Sequence, residues 1–548
     1  MRKLLVCACA LCLVCGIASA QTQIEFAEGE VRAGAGVETD GATAVIRQGG
    51  AFRVSGTSSQ SRLIVDTAEA VELVWDGATL SNSQHAPLTA LGEGELTITL
   101  PEGGGGALSD LRAASGIEQS DAALVCEGKL IVRGGGTLAV SSAEGDGVLS
   151  GEMRMEGGTL AISAGARGVC AQRDLTLHGG VLQAEAGFAG AEVGGDARVL
   201  GGDLRLSAGA DGLVVGGEML VEGGALEISA GGGASAAVDA GSLYGAFSDF
   251  FPFFSDDFFF GGRSYESYEG SAAVSAARAE VSGGSLVLDA SGDALYASDE
   301  LLIEGGAISI SCGGNGLRTD GDAQLLGGSV WIDESDVGLA GKRVTVENAL
   351  INVTSGAEGI LAQAGDEAAD GVRIGEGAAL TIDAGACGIA TDARLLFEGG
   401  ETVIRCAQRS YAPTSAQGGA YATGGTLIAT GMSGDGADVA GDAAQPTLLA
   451  RFSGTVGSGA QVVVEDEAGE AVISFTAQER FCVFQASCPQ LRAGERYTLY
   501  LDGEAVGAVT VEGALNLFAP QDAPDAAPQP APDVQPEQAD EQDGTARI

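Results

Sequence analysis

The sequence predicts an all-β protein: a right-handed parallel β-helix of 22-residue coils, followed by a small β-sandwich-like C-terminal domain. The first observation is a Gly-Gly pair that begins at residues 135, 157, 179, 201 and 223, then 283, 305 and 327, and again at 399. A fixed period of this size is typical of a solenoid. The second is that apolar and polar residues alternate on both sides of each pair, as in half-buried strands. The third is composition: with 89 glycines and 5% aromatic residues, the chain favours short strands and turns over long helices.

Each 22-residue interval holds three short apolar segments. The segment after the pair carries residues such as Leu160 and Ile162, and the segment before the next pair carries Leu175 and Leu177. A third apolar position lies about eleven residues before the pair, as at Leu213. Leucine-rich repeats share the period, but their leucine-asparagine signature is missing. Three strands turned by glycines that tolerate positive φ predict one β-helix coil, and the usual chirality of parallel crossovers predicts a right-handed one.

The predicted domain boundaries follow the regularity of the repeat. Residues 1–20 have a charged start, an apolar run and an Ala-Ser-Ala end, which predicts a signal peptide and therefore a secreted protein. Residues 21–115 form a cap and irregular first coils, residues 116–430 form the regular array, and residues 232–273 are a Phe-rich insertion within it. Residues 446–515 have the pattern of hairpins in a small sandwich. The Pro-rich, acidic residues 519–548 are expected to be disordered.

The formal net charge of −47 disfavours nucleic acids and anionic membranes as partners. After the predicted signal peptide, no apolar stretch reaches the ~20 residues that a transmembrane helix needs. We therefore expect cations or neutral molecules as partners.

Stacking of the coils predicts two columns of acidic residues. The first lies five residues before each glycine pair, and the second lies eleven or twelve residues before it, with Asn315 in phase. Carboxylates stacked about 4.8 Å apart repel each other and favour a hard cation, and oxygen ligands without imidazole or thiolate suit Ca²⁺. The candidate ligands in the first column are Glu152, Asp174, Asp196, Glu218, Glu300 and Asp322; those in the second are Asp146, Asp211 and Asp293. The alternative is that these acids cap turns and face solvent, and Arg167, Arg278 and Arg343 interrupt the columns.

The Phe-rich insertion contains eight of the 17 phenylalanines and three of the eight tyrosines. Its aromatic rings could stack on sugar rings. The alternatives are a flap that packs on the β-helix and a surface that contacts another protein. The candidate sugar-binding residues are Tyr244, Phe250, Phe253, Phe258 and Tyr265.

The sequence offers little for catalysis. Its two histidines, His85 and His178, stand in unrelated settings, and neither Lys129 nor Lys342 accompanies an acidic site in its own coil. Nucleophile elbows, zinc motifs and phosphate-binding loops are absent from the sequence. We therefore predict a non-catalytic protein.

The segments "GGAFRVSGTSSQSRLIVDTAEAVELVWDGATLSNSQHAPLTALGEGELTITLPEGGGGALSD", "SDAALVCEGKLIVRGGGTLAV", "GDGVLSGEMRMEGGTLAISA" and "ADGLVVGGEMLVEGGALEISA" resemble the secreted clostridial proteins called carbohydrate-binding-domain proteins. The resemblance spans roughly residues 45–430. It implies a right-handed β-helix with bound Ca²⁺ that binds acidic or cellulosic plant polysaccharides without cleaving them. Carried over to this sequence, the calcium ligands would be Asp146 with Glu152, Asp211 with Glu218, Asp293 with Glu300, and Asp322 after Asn315. Several repeats here ("ARGV", "FAGA", "ACGI") lack the aspartate of the family pattern, so fewer or weaker sites are expected.

The sequence thus predicts a secreted, calcium-dependent protein that attaches to a pectin- or cellulose-type polysaccharide. The alternative is a cell-surface adhesin or spacer that contacts a protein partner through the Phe-rich insertion. The third hypothesis is that the protein is a polysaccharide lyase.

Overall fold

The structure, a computed structural model, describes residues 21–113, 121–236, 270–407, 412–432, 439–441 and 443–518. The predicted signal peptide, the acidic tail and most of the Phe-rich insertion lie outside the described residues. So do all five candidate sugar-binding aromatic residues of that insertion, namely Tyr244, Phe250, Phe253, Phe258 and Tyr265.

The N-terminal strands begin with two antiparallel hairpins and then enter parallel coils. They are β1 Thr22–Ala27, β2 Glu30–Ala33, β3 Val37–Asp40, β4 Thr43–Ile46, β5 Gly50–Ser58, β6 Arg62–Asp66, β7 Val71–Trp75, β8 Thr79–Asn82, β9 Leu88–Leu91, β10 Glu95–Leu100 and β11 Gly105–Asp110.

The regular coils follow, and their strands pair in parallel with the equivalent strands of the next coil. Before the insertion they are β12 Ala122–Gly134, β13 Thr137–Ser142, β14 Asp146–Met155, β15 Thr159–Ala164, β16 Val169–Ala171, β17 Leu175–Leu177, β18 Val181–Ala186, β19 Ala191–Val193, β20 Ala197–Val199, β21 Asp203–Ala208, β22 Leu213–Val215, β23 Glu218–Val221 and β24 Ala225–Ala230. A single 3₁₀ turn, Ala234–Ala236, follows in the described chain.

After the insertion the coils continue as β25 Val274–Val281, β26 Ser285–Ala290, β27 Leu295–Ile303, β28 Ala307–Cys312, β29 Asn315–Thr319, β30 Asp322–Leu325, β31 Ser329–Glu334, β32 Val337–Gly341, β33 Arg343–Val346, β34 Leu350–Ser355, β35 Ile360–Ala362, β36 Asp370–Ile374, β37 Ala379–Ala384, β38 Ile389–Thr391, β39 Arg394–Cys406, β40 Thr414–Ala416 and β41 Ala420–Gly431. Ala225 pairs with Ser285, so the ladder resumes in register across the inserted residues.

These coils confirm the predicted parallel solenoid, which has about 16 turns. A typical coil contains β15, β16 and β17, and its core residues stack on their counterparts: Leu160 pairs with Leu182, and both are fully buried. The third apolar position of each coil also points inward, since Val169 and Leu213 are fully buried. The core is therefore one continuous, mainly aliphatic column inside the coil stack.

The second glycine of most pairs has positive φ, for example +83° at Gly202 and +81° at Gly224. A Cβ at Gly202 would lie 2.6 Å from the carbonyl oxygen of Gly180 in the coil below. Both the backbone conformation and the close stacking of corners therefore require glycine. Where the pair weakens, the positive φ moves back one residue, to Asn348 (φ +50°) and Gly377 (φ +69°). Asparagine tolerates this conformation better than most residues.

The described part of the chain ends in two packed layers of mainly antiparallel strands. The last strands are β42 Thr447–Val456, β43 Gln461–Glu465, β44 Ala471–Thr476, β45 Phe481–Ser487, β46 Arg496–Leu501, β47 Glu504–Thr510 and β48 Leu515–Leu517. Strand β45 pairs antiparallel with β41 and so continues a solenoid sheet, while β44, β43, β46 and β47 form a separate four-stranded sheet. Phe484 from the first layer and Tyr497 from the second share a core, which gives the predicted sandwich-like arrangement. No helix within the described segments is long and apolar enough to span a membrane.

Candidate functional site

The first acidic column lies along one edge of the solenoid, where each coil turns toward its next glycine pair. The ladder pairs Lys129 with Glu152, and farther along it pairs Glu218 with Arg278. It then pairs Glu300 with Asp322, and Asp322 with Arg343. The predicted stacking of these acids is therefore present, with basic residues in the same column.

Two aspartates of this column, Asp174 and Asp196, accept hydrogen bonds from the backbone of the next coil. The N–H of Asp196 donates to Oδ1 of Asp174 at 3.0 Å, and the N–H of Glu218 donates to Oδ1 of Asp196 at 3.0 Å. These carboxylates thus continue the inter-coil ladder at a corner, where the chain leaves one strand and enters the next. One oxygen of each carboxylate has a structural role.

Basic side chains neutralise much of the first column. Lys129 Nζ lies 2.6 Å from Glu152, and Arg198 Nη2 lies 2.6 Å from Asp196. Arg278 lies 3.4 Å from both Glu218 and Glu300. Arg343 similarly contacts Asp322 through two nitrogens, with Nη2 at 2.6 Å. The side chains of Glu152, Asp174, Asp196 and Glu218 are nevertheless 32–43% exposed, so this run of four acids remains open to solvent.

The second acidic column, at the other end of the short third strand, is more enclosed. Oδ1 of Asp146 accepts the backbone N–H of Arg167 at 3.0 Å. Oδ1 of Asp293 accepts the N–H of Asn315 at 2.8 Å, and its side chain is 12% exposed. These aspartates make the same inter-coil bond as the first column, but they are largely removed from water.

Arginines from neighbouring coils cover the enclosed aspartates. Arg167 lies 2.6 Å from Asp146 and 3.0 Å from Glu192. Burial alone would lower the pKa of the Arg167 guanidinium, but its hydrogen bonds to Asp146 and the charge of that carboxylate hold the pKa above its ordinary value. Arg318 lies 3.2 Å from Asp293 and 5.2 Å above the ring of Tyr296. At Asp146 and Asp293, an arginine guanidinium therefore occupies the position at which a bound cation was predicted.

Asp211 differs from its two column neighbours, since no lysine or arginine of the described chain forms an ion pair with it. Oδ1 accepts the N–H of Ala272 at 2.8 Å. Burial raises the pKa of Asp211, and the bond from Ala272 only partly opposes this. The folded protein therefore holds a proton on Asp211 to higher pH than the unfolded chain does, and stability falls as the pH rises from the ordinary Asp pKa through the raised one.

We expect Asp211→Asn to stabilise the protein at neutral pH, because the amide oxygen keeps the bond from Ala272 and the buried charge is removed. The gain should vanish below about pH 3, where both Asp211 and the unfolded aspartate are protonated. Urea unfolding across pH measures this. Asp293→Asn is the matched control, since it breaks the pair with Arg318 and should destabilise at neutral pH. Destabilisation by Asp211→Asn at pH 7 would contradict the account.

The fit of the acids to Ca²⁺ is limited. In the part of the chain that the structure describes, no group of three or more His, Cys, Asp or Glu side chains lies close enough together to hold a metal ion. The described side chains therefore do not make a complete calcium site by themselves. Calcium binding by the nine predicted acids stays a prediction. The acids of the first column are partly exposed to solvent, and four of them lie on consecutive coils.

The sequence alone does not predict the cross-coil ion pairs of the arginines, although Arg167, Arg278 and Arg343 interrupt the acidic columns. A signal was present, because Arg167 stands one coil after Asp146 in the same column. Arg318 gave no such signal, since it is 25 residues from Asp293 and outside both columns.

The carbohydrate-binding domain-containing protein family matches residues 40–316, about half of the 548-residue chain. This chain belongs to that family. The matched segment of this family member includes the exposed acidic run and the second column as far as Asn315. The predictions of a carbohydrate-binding domain and of a polysaccharide partner are thereby supported.

No curated protein matches the chain. A solved structure, the polysaccharide lyase-like protein from C. thermocellum, is 22% identical over 39% of this chain and 92% of that one, with a TM-score of 0.36. That score is too low to carry an argument about fold or activity.

Proposed function

We propose that this family member is an exported, non-catalytic protein that attaches to a pectin- or cellulose-type plant polysaccharide, with Ca²⁺ bridging it to acidic chains. The observation that carries the calcium part is the run of Glu152, Asp174, Asp196 and Glu218 on four consecutive coils, all partly exposed. A chain with a net charge of −47 repels an anionic glycan unless a cation lies between them.

The proposed calcium is a bridge, not a resident ion. Ca²⁺ takes six to eight oxygen ligands, which include carboxylates, carbonyls and water. Two neighbouring acids of the run supply some of these ligands, and the carboxylates and hydroxyls of the glycan complete the set. Affinity for Ca²⁺ is then low without glycan.

Two observations on the possible catalytic bases Lys129 and His85 support attachment without cleavage. Lys129 is engaged by Glu152 at 2.6 Å. Burial, with smaller contributions from Arg62 and Arg112, lowers the pKa of His85. The lowered pKa makes the imidazole of His85 a weaker base, because the neighbouring positive charges oppose its protonation, whereas a carboxylate partner would favour it.

The test is a pull-down of the full chain with insoluble pectate in Ca²⁺ and in chelator. We expect chelator to weaken retention at least about tenfold, which corresponds to about 1.4 kcal/mol. The variant Glu152→Gln/Asp174→Asn/Asp196→Asn/Glu218→Gln should bind weakly in both buffers. All four positions lose their charge, while the amide oxygens at positions 174 and 196 keep the backbone bonds.

The matched control is Asp203→Asn, since Asp203 is 36% exposed and lies on the neighbouring strand of the same coil. It should bind like the unmodified chain. Equal retention in Ca²⁺ and chelator would reject the calcium bridge while leaving polysaccharide attachment in place. Loss of retention by Asp203→Asn equal to that of the fourfold variant would show that general charge, not this run, is responsible.

A further inference from the structure

A second surface, on the face formed by the six-residue strands, differs from the rest of this acidic molecule. We define the neutral strip as two adjacent columns of outward-facing residues on β26, β28, β31, β34 and β37. The ladder registers align its ten members, which are Ser285, Ala307, Ser329, Leu350 and Ala379 in one column and Val287, Ser309, Trp331, Asn352 and Thr381 in the other. None of the ten is charged, although the chain carries a net charge of −47.

The neutral strip also concentrates exposed apolar side chains. Val287 and Trp331 are each 47% exposed, and Leu350 is 43% exposed. They are three of the eight large hydrophobic residues exposed in the described segments. A soluble protein exposes such residues together mainly where something binds.

Trp331 occupies the centre of the strip, between Ser309 in the preceding coil and Asn352 in the following one. Across the residues that the structure describes, its indole N–H has no protein acceptor. The other tryptophan, Trp75, shows the contrast, since it is 1% exposed and its Nε1 donates to the carbonyl oxygen of Ala78 at 2.8 Å. Trp75 is a core residue, whereas Trp331 presents both an apolar face and a donor to solvent.

We infer that the neutral strip binds an uncharged polysaccharide chain, with one pyranose ring on the face of Trp331. The C–H face of a sugar ring packs on the indole, while ring hydroxyls bond to Ser309, Asn352 and the indole N–H. The absence of charge on the strip matches a neutral chain and distinguishes this surface from the acidic run. The inference rests on the proposal that the protein binds polysaccharide.

The dimensions favour an extended ligand over a protein partner. Five strands at about 4.8 Å spacing give a length of about 19 Å, and two outward positions on one strand are about 7 Å apart. A stable protein interface buries about 800 Å² on each partner, far more than this narrow strip offers. The family match ends at residue 316, before Trp331, so the inference depends on the structure of this chain.

The experiment is affinity electrophoresis of the full chain in gels containing hydroxyethylcellulose, with chelator present. We expect retardation of the unmodified chain and a loss of at least about tenfold in affinity for Trp331→Ala. Trp331→Phe should recover part of the binding, because a phenyl ring keeps an aromatic face. Hydroxyethylcellulose should also shift the wavelength of tryptophan fluorescence emission of the unmodified chain. The Trp331→Ala variant should lack this shift.

Leu91→Ala is the matched control, since Leu91 is 39% exposed and lies on β9, far along the chain from the strip. It should bind normally. Retardation of Trp331→Ala equal to that of the unmodified chain would overturn the inference and leave the proposed function standing. Conversion of a dimer to a monomer by Trp331→Ala, measured by sedimentation, would also overturn it, because the strip would then bind a second copy. Absence of binding by the unmodified chain to every glycan tested, hydroxyethylcellulose and pectate included, would instead reject the proposed function.

Discussion

Replacing Gly202 with alanine is expected to destabilise the solenoid by about 3 kcal/mol or more. The added methyl group meets both an unfavourable backbone conformation and the backbone of the preceding coil. Gly202 has a φ of +83°, which costs an L-residue about 1–2 kcal/mol. The added Cβ would also lie 2.6 Å from the oxygen of Gly180 and 2.8 Å from the carbonyl carbon of Gly179. Because those atoms belong to the backbone of the preceding coil, the two coils must separate.

Gly92→Ala is the control that isolates backbone strain. Gly92 has a φ of +81°, but a Cβ there would have nothing within 4 Å. It should therefore lose only about 1–2 kcal/mol. Urea unfolding gives the overall cost, and hydrogen exchange in β18, β20 and β21 reports the coils around Gly202, since repeat arrays can open locally. Equal costs at the two glycines would contradict the close stacking of the corners.

Arg167→Met is expected to destabilise the protein by about 3–5 kcal/mol, because it leaves a buried carboxylate without its cation. The side chain of Asp146 is only 3% exposed, and that of Arg167 is 18% exposed. Arg343→Met removes a similar contact with Asp322, but Arg343 is 57% exposed. That change should cost at most about 1 kcal/mol.

The double variant Asp146→Asn/Arg167→Met completes the test. The amide oxygen introduced at position 146 can still accept the backbone N–H of residue 167, and no buried charge remains. We expect the double variant to recover most of the loss, which gives a coupling energy between positions 146 and 167 in a thermal or urea unfolding cycle. A cost for Arg167→Met no larger than that for Arg343→Met would show that Asp146 is not held by this pair.

The solenoid could be predicted because its signals are local and repeat. The glycine pair marks the corner that requires positive φ, and alternation marks the inward residues, as at Leu160 and Leu182. The ladder register follows directly from the spacing. The move of the positive φ to Asn348 and Gly377 was less predictable. It depends on how a coil of different length packs on the adjacent coils.

The roles of the acids could not be derived in the same way. The sequence places Asp146, Asp211 and Asp293 in one column. Only the structure shows that Arg167 and Arg318 cover two of them, and that no lysine or arginine among the described residues pairs with Asp211. These arginines lie on neighbouring coils, and an arginine side chain is long enough to reach several carboxylates. The sequence therefore does not determine which acid each arginine pairs with.

The neutral strip could have been found in the sequence. In "SVWIDE", Val330 and Ile332 are the inward residues, so alternation already places Trp331 outside.

The most direct test of polysaccharide attachment is retention of the unmodified full chain on insoluble pectate and cellulose, followed by analysis of the glycan. The account predicts that at least one of the two retains the protein and that the glycan is recovered uncut. Passage of the protein through both, in Ca²⁺ and in chelator, would contradict attachment. Accumulation of unsaturated uronate products would contradict a non-catalytic role.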